Sequence, residues 1–370
     1  MQADERGRQY ALDGLRGYLA FGVFVHHLVI YYPYLENGLF VLPDSNFYSQ
    51  LGRVSVALFF MVTGYLFWGR VLDTAGHIDW GRFVLNRLFR IYPLYLAALA
   101  CVLLIVFGHA GWRMQVSAMA LMEQLAAWLV FARPAINGFA LTGNLIANVS
   151  WTLSYELFFY LTLPCFVLLT VKRRGWLRPI AAALLIYALY KVMGASAVLK
   201  HSVLLTFLGG VAAAHWTRYE PLRRWSDGRF AAAIAVLLLM CVMFGWGTPF
   251  APIPFLLLTG FFCIVASGNN VFGALSVPAV RWMGEISYST YLLHGLLLWA
   301  GLVWLPGQLG IDPRNPFYWF VFCAVASIVV IVLSSAAYLY IERPGIRTGH
   351  RLAAWLMPKR AASAPGERLR

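Results

Sequence analysis

Long apolar runs recur along the whole chain and dominate its pattern. Each run is close to the roughly 20 residues that a helix needs to cross about 30 Å of hydrocarbon. The runs are continuous, whereas strands of a membrane barrel alternate apolar and polar residues over about ten positions. The pattern predicts an all-α membrane protein, a bundle of about ten transmembrane helices at residues 12–34, 51–69, 91–110, 151–171, 179–197, 201–217, 229–247, 250–268, 282–304 and 316–341.

Composition leaves no room for a large soluble domain. Of the 370 residues, 61% are hydrophobic and 12% are charged, whereas a soluble domain carries about 25% charged residues. Asp4 and Glu5 precede the first run and no small-residue cleavage site follows it, so we expect it to remain as a span rather than a signal peptide. The five cysteines lie in apolar segments without metal-type or paired spacing, and we interpret them as small hydrophobes with no metal site.

The basic residues predict the orientation of the bundle. The formal net charge is +14, but the cations are dispersed between spans rather than gathered in one patch, which argues against a nucleic-acid partner. With ten spans and a cytoplasmic N-terminus, 23 of the 29 Lys and Arg fall on the inner side. The positive-inside rule therefore predicts that both termini are cytoplasmic. The outer segments keep only Arg53, Arg113, Arg133, Lys200 and Arg314.

Two domain-level predictions follow from the same pattern. Residues 1–345 form a single membrane domain, and residues 346–370 form a basic cytoplasmic tail that is partly disordered. Between the third and fourth spans, the segment 111–150 has an apolar middle and is expected to lie along the outer interface.

Ionisable side chains at membrane depth usually face a bundle interior or a watery cavity. Arg16 and His27 are eleven residues apart, so at about 100° per residue they return to nearly the same helix face. The two side chains fit positions at different depths along one internal cavity. A snorkelling arginine and a histidine bonded to a neighbouring backbone fit the spacing equally well.

Two further patterns are each ambiguous. In the ninth span Ser287, Tyr291 and His294 lie at i, i+4 and i+7, a polar stripe that suits a substrate site or hydrogen bonds between helices. Arg87 and Arg90 lie one turn apart before the third span. Two guanidiniums at this spacing suit a phosphate-bearing ligand, and also suit anionic lipid head groups.

Five motifs follow one another over residues 10–345: Leu12-Asp13-Gly14-Leu15-Arg16-Gly17 with His27, Arg87-Leu88-Phe89-Arg90-Ile91-Tyr92-Pro93, Trp151-Thr152-Leu153-Ser154-Tyr155-Glu156, Ser287 to His294, and Glu342-Arg343-Pro344. In order and spacing, they resemble the motifs of the acyltransferase-3 family of integral membrane acyltransferases. Many members have one histidine where this chain has His26-His27. Some carry a fused extracytoplasmic esterase-like domain, which we do not expect here.

The resemblance implies a bacterial inner-membrane O-acyltransferase that moves an acyl group, most simply acetyl, from cytoplasmic acyl-CoA to a hydroxyl of an extracytoplasmic or lipid-linked glycan. No tightly bound cofactor is implied, and membrane lipids are the other partner. Arg87 and Arg90 would hold the phosphates of acetyl-CoA, Arg16 would guide its pantetheine arm, and the catalytic residues would be His27 and Glu156. Further residues expected at the substrate or the cavity wall are Asp13, His26, Trp151, Ser287, Tyr291, His294 and Glu342.

Several alternatives stay open at this stage. His27 fits either a general base or a covalent acyl carrier. Glu156 is expected to orient the imidazole, to bind the sugar or to bond to a neighbouring helix. The rival function is a multispan transporter or permease for a small molecule or glycan, and a membrane sensor is a third class. The acceptor, the acyl chain length and the oligomeric state do not follow from the sequence.

Overall fold

In the computed structural model, residues 2–42, 44–170, 177–196 and 199–357 are described, and all their regular elements are helical, with one isolated bridge between Ile136 and Phe139. The all-α prediction is confirmed. The α-helices are α1 (Gln2–Asn37), α2 (Asn46–Asp73), α3 (Trp80–His109), α4 (Ala118–Leu129), α5 (Trp151–Thr170), α6 (Leu177–Ser196), α7 (His201–Leu204), α8 (Thr206–Trp216), α9 (Glu220–Ser226), α10 (Arg229–Gly245), α11 (Pro252–Ala266), α12 (Pro278–Glu285), α13 (Ser287–Trp299), α14 (Leu305–Leu309), α15 (Pro316–Ala337) and α16 (Arg343–Leu356).

Each of the ten apolar runs coincides with helix, but not every run is one long helix. Among the described residues, six helices are long and apolar enough to cross a membrane, or seven if α9 and α10, bent by 81°, count as one span. The run at 201–217 is divided between α7 and α8, and α11 has only 15 residues. Ten full crossings are therefore not confirmed by helix length, because several runs are short or broken.

Contacts between distant helices give their relative directions. Arg16 and His27 of α1 contact Ser287 and His294 of α13 in the same order, so these two helices run the same way. In contrast, α3 and α16 run in opposite directions, because Arg82 contacts the Met357 carbonyl while Phe89, further along α3, faces Gly349.

A third pair, α2 and α8, runs in the same direction. Trp68 Nε1 donates to His215 Nε2 (3.0 Å), and Asp73, one turn further along α2, pairs with Arg218 beyond α8. The residue numbers of the contacting pairs increase along both helices, so α2 and α8 are parallel. α1 and α13 belong to the first and ninth predicted spans, and α2 and α8 belong to the second and sixth. Because successive spans cross the membrane in alternating directions, both members of each pair should run the same way.

The motif at residues 12–17 of α1 is a helix-packing motif. A Cβ placed on Gly14 or Gly17 would overlap the backbone of Leu275 or Val280, and one placed on Gly284 would overlap the Asp13 carbonyl oxygen. Small residues let helix backbones approach closely in membrane proteins. This close approach fixes α1 around Gly14 and Gly17 against α12 and the residues before it, and so fixes where Arg16 points.

The predicted tail is helical at its start. Residues 346–356 belong to α16, which packs on α3. The basic residues at 172–174 and the segment 358–370 lie outside the described residues.

We expect Gly284→Ala to destabilise the protein, because the added methyl group meets backbone atoms of Asp13 that no side-chain rotation can move. Overpacking of this kind costs about 1–3 kcal/mol. Thermal unfolding of the detergent-solubilised variant measures the loss. The matched control is Gly108→Ala in α3, where nothing lies within 4 Å of the new methyl group. Equal melting temperatures for the two variants would contradict the close packing of α1 on α12.

Candidate active site

A cavity of about 330 Å³ lies between α1, α2, α3, α5 and α13. We call it the arginine cavity, because three guanidiniums line it. Of the residues predicted from the sequence, it brings together Arg16, Arg87, Arg90, Glu156, Ser287 and Tyr291. These side chains come from four helices that are far apart in the chain, so the fold gathers what the sequence lists separately.

Arg16 is held in place by two neighbours. Its Nη2 donates to Ser287 Oγ (2.9 Å), and its Nη1 lies 3.5 Å from Asp13 Oδ1, one turn earlier in α1. The ion pair with Asp13 orients one side of the guanidinium while the other side reaches the first turn of α13. Asp13 itself is outside the lining of the arginine cavity.

Arg90 is tied to a carboxylate at the far end of the chain. Its Nη2 lies 3.7 Å from Glu342 Oε1, and the fully buried Glu342 accepts a hydrogen bond from Ser289 Oγ at its other oxygen (2.8 Å). Glu342 ends a π-helical segment, Tyr338–Glu342, that joins α15 to α16. Such segments occur often at functional sites. The closing motif of the sequence is therefore a support for Arg90 rather than a wall of the cavity.

Arg87 and Glu156 complete the charged lining. The Arg87 guanidinium lies 5.0 Å from the centre of the Phe67 ring, a cation–π distance. Glu156 Oε2 accepts a hydrogen bond from Tyr160 (2.9 Å), one turn further along α5. Three guanidiniums and one carboxylate line the cavity, while Asp13 and Glu342 pair with Arg16 and Arg90 from outside the lining. The lining therefore presents guanidinium groups that suit an anionic ligand.

The cavity ends at a pair of hydroxyl groups. Thr152 Oγ1 and Tyr291 OH lie 2.9 Å apart, and Tyr291 OH also donates to the Val149 carbonyl (3.2 Å). The pair links the first turn of α5 to α13. His294, one turn beyond Tyr291, is fully buried and outside the lining.

His27 lies beyond this end, and its hydrogen bonds define its tautomer. His294 Nδ1 lies 3.0 Å from the Thr290 carbonyl oxygen, which can only accept, so this nitrogen carries the proton and Nε2 of the neutral ring is an acceptor. His27 Nδ1 lies 3.1 Å from that acceptor and 3.0 Å from the Val23 carbonyl oxygen, so it must be the donor. In the described part of the chain no group bonds to the second nitrogen, Nε2, so neutral His27 keeps a free lone pair there.

His26 points to a different helix, as the 100° step between neighbours predicts. Its Nδ1 lies 2.7 Å from the Tyr48 carbonyl oxygen, and its ring packs against Gly52 in α2. Only His27 shares with Arg16 the face that contacts α13.

Two expectations about the site differ from the structure. Arg16 lines the arginine cavity but His27 does not, because Tyr291 and His294 lie between them and the cavity stops at Tyr291. Glu156 does not contact His27 in the described structure: it faces the arginines and bonds to Tyr160, while the imidazole is oriented by His294.

Some site residues were missed from the sequence. Tyr160 follows Glu156 by four residues, so helical spacing alone could have found it. Thr152 lies in the motif that includes Trp151, which faces away from the arginine cavity. Ser289 lies within the motif from Ser287 to His294, but no spacing could pair it with Glu342, 53 residues away.

Comparison with known proteins places the chain in a family. Residues 9–336 match the acyltransferase-3 family, described as an acyltransferase domain. The chain is 24% identical to the Bacillus subtilis (strain 168) protein named "Putative peptidoglycan O-acetyltransferase YrhL" over 91% of its own length. It spans about half the length, 54%, of that relative. No solved structure matches the chain.

The family match extends from the first turns of α1 to the last turn of α15, and it includes the three arginines of the cavity and the histidine pair beyond it. The chain belongs to the acyltransferase-3 family of membrane acyltransferases.

Proposed function

We propose that the protein is a bacterial inner-membrane O-acyltransferase that moves an acetyl group from cytoplasmic acetyl-CoA to a hydroxyl of an extracytoplasmic glycan. The observation that carries the proposal is the convergence of Arg16, Arg87 and Arg90 on one cavity of a chain in this family. The name of the Bacillus subtilis relative favours a peptidoglycan acceptor.

The proposed topology has ten crossings with both termini in the cytoplasm. The 23 to 5 distribution of basic residues supports it. So do the parallel pairs α1 with α13 and α2 with α8, and the antiparallel pair α3 with α16. In this topology Arg87 and Arg90 lie near the cytoplasmic end of α3, on the side where acetyl-CoA is available.

The donor would lie with its phosphates at Arg87 and Arg90 and its pantetheine arm beside Arg16. The cavity volume is at the lower end of the roughly 300–1,000 Å³ of small-molecule sites. It suits the narrow pantetheine arm and the acyl group, with the nucleotide at the cytoplasmic mouth. The thioester would then pass the Thr152–Tyr291 pair to approach His27.

His27 acts in this proposal as the general base. Its free Nε2 takes the proton of the acceptor hydroxyl while the oxygen attacks the thioester carbonyl. The tetrahedral intermediate collapses with cleavage of the carbon–sulfur bond, and the proton passes from the imidazolium to the coenzyme A thiolate. His294 is a positioning residue, because its Nε2 accepts from His27 Nδ1–H. Covalent transfer through Nε2 uses the same nitrogen and is the alternative.

The topology predicts that reporter fusions at Arg6 and Arg360 are both cytoplasmic, and that a fusion between α14 and α15, at Arg314, is external. The physical reason is the cost of moving the inner clusters of arginine across the membrane. Paired alkaline phosphatase and fluorescent-protein fusions measure the location. If both terminal fusions report an external location, the proposed entry of acetyl-CoA through the arginine cavity fails with the topology.

Substitutions of Arg87 and Arg90 should affect coenzyme A binding and protein stability separately. Arg87→Gln should weaken coenzyme A binding about tenfold with little change in melting temperature, because it removes a charge-assisted contact. Arg90→Gln should also lower stability, on the order of 3 kcal/mol, because it leaves the buried Glu342 unpaired. Isothermal titration and thermal unfolding in nanodiscs measure the two quantities.

The double variant Arg90→Gln/Glu342→Gln is the control, since it removes both members of the ion pair. We expect it to regain stability while coenzyme A binding stays weak. Unchanged coenzyme A affinity in Arg87→Gln and in the double variant would contradict the proposed role of both arginines. It would favour the alternative that they contact lipid head groups. A permease would not be stabilised by coenzyme A in any form.

Substitution of His27, but not of His26, should abolish acetyl transfer. Mass spectrometry of cell-wall glycans should find an acetyl increment that depends on the protein and disappears in His27→Ala. His26→Ala should retain a measurable rate, because His26 contacts α2 rather than the proposed site. If His26→Ala alone were inactive, the assignment of the base would be wrong.

His294 should affect the rate rather than donor affinity. We expect His294→Ala to lower kcat about tenfold with coenzyme A affinity unchanged, in the range of general-base contributions. His294→Gln should recover part of the rate, because its amide oxygen can accept from His27 Nδ1–H. Equal rates for both variants and the parent protein would remove His294 from the mechanism.

A further inference from the structure

A second cavity, of about 1130 Å³, lies at the other end of the helices. Its lining comes from the early part of α2, the segment before α5, the start of α5, the residues around α7 and the connection from α10 to α11. We call it the aromatic cavity, after Phe131, Trp151, Tyr155 and Phe250 in its lining. In the proposed topology this end faces the outside of the cell.

Three cations from separate segments converge on the aromatic cavity. Arg53, Arg133 and Lys200 line it, and none of its lining residues, all within the described ranges, is a carboxylate. These are three of only five basic residues that the topology leaves on the outer side. None of the three forms an ion pair with a carboxylate in the described part of the chain.

Backbone carbonyls hold the two guanidiniums in place without neutralising them. Arg53 Nη1 donates to the Gly247 carbonyl (2.5 Å), and Arg133 Nη1 donates to the Asn148 carbonyl (2.8 Å). Each arginine keeps further N–H groups for a ligand, because a guanidinium has five donors. The positive charge is therefore positioned and uncompensated.

Ser154 gives an independent sign of a ligand. Its side chain is 1% exposed, it lines the aromatic cavity, and its Oγ has no hydrogen-bond partner in the described structure. A buried hydroxyl without a partner costs free energy unless something bonds to it. A ligand hydroxyl or amide in the cavity would satisfy it.

The first turns of α5 form the wall between the two cavities. Thr152 and Glu156 line the arginine cavity, whereas Trp151, Ser154 and Tyr155 line the aromatic cavity. This division follows helix geometry, since residues four apart share a face and their neighbours turn away by about 100°. One short stretch of helix thus faces the proposed donor on one side and the external cavity on the other.

We infer that the aromatic cavity binds an acidic saccharide, the carboxylate- or phosphate-bearing glycan that accepts the acyl group. The inference rests on the proposed function. Arg53, Arg133 and Lys200 would pair with the anionic groups, as guanidiniums do with carboxylate and phosphate. Trp151 and Tyr155 would pack against sugar faces, and Ser154 would bond to a sugar hydroxyl.

The test measures binding of two oligosaccharides that differ in charge, without any donor. The full chain is placed in nanodiscs of zwitterionic phosphatidylcholine. One probe is a tetrasaccharide of alternating N-acetylglucosamine and N-acetylmuramic acid, which carries lactyl carboxylates; the other is the neutral N-acetylglucosamine tetramer with the same β-1,4 backbone. Native mass spectrometry and titration calorimetry give the affinities, and coenzyme A binding is measured in parallel.

We expect the acidic probe to bind at least tenfold more tightly than the neutral one, with a preference that falls as salt is raised. Arg133→Gln and Lys200→Gln should each reduce that preference several-fold. Arg113→Gln is the matched control, because Arg113 is exposed, belongs to the same outer group and does not line the cavity. Coenzyme A binding should not change in any of the three.

Equal affinity for the two probes, or an equal effect of Arg113→Gln, would overturn the inference while intact coenzyme A binding leaves the proposed function standing. Loss of the acidic probe when phosphatidylglycerol is added to the nanodisc would assign the cavity to lipid head groups and would also overturn it. If the parent protein bound neither coenzyme A nor transferred acetyl groups, the proposed function itself would fail.

Discussion

The constraint on which the rest of the site depends is that every charge placed inside an apolar bundle needs a partner. Arg90 and Glu342, which are far apart in the sequence, form an ion pair and so meet this requirement for each other. Ser289 donates a hydrogen bond to the second carboxylate oxygen. Water is scarce at such positions, so an unpaired group costs several times what it would at a surface. The position of α3 relative to the π-helical segment after α15 is therefore fixed by an ion pair as well as by packing.

The same constraint explains how α1 serves the site. Backbone contact at Gly17 and Gly284 brings α1 against α12, and Arg16 then has Asp13 and Ser287 within reach. Packing and polar contacts are coupled here, since a small shift of α1 would break both. α13 has a similar double role, because its successive turns contact Arg16, the first turn of α5 and His27.

Local features of the chain were predictable, and contacts over long separations were not. The apolar runs gave the helices, and helix periodicity correctly separated His26 from His27. Periodicity does not give the distance between two helices. It could therefore not predict that His27 pairs with His294, 267 residues away, or that Glu156 bonds to Tyr160 instead of the imidazole. The continuity of each helix was not predictable either, because composition reports apolar character and does not show a break such as the one at Leu205.

The histidine pair has a consequence for the speed of the proposed reaction. A proton that arrives at His27 Nε2 leaves the Nδ1–H bond to His294 in place, and the same holds when the proton departs. The imidazole can therefore cycle between its two charge states without rotating about its side-chain torsions. Reorganisation of a closely packed interior is slow compared with proton transfer, so a ring that never has to turn over removes one barrier from each catalytic cycle.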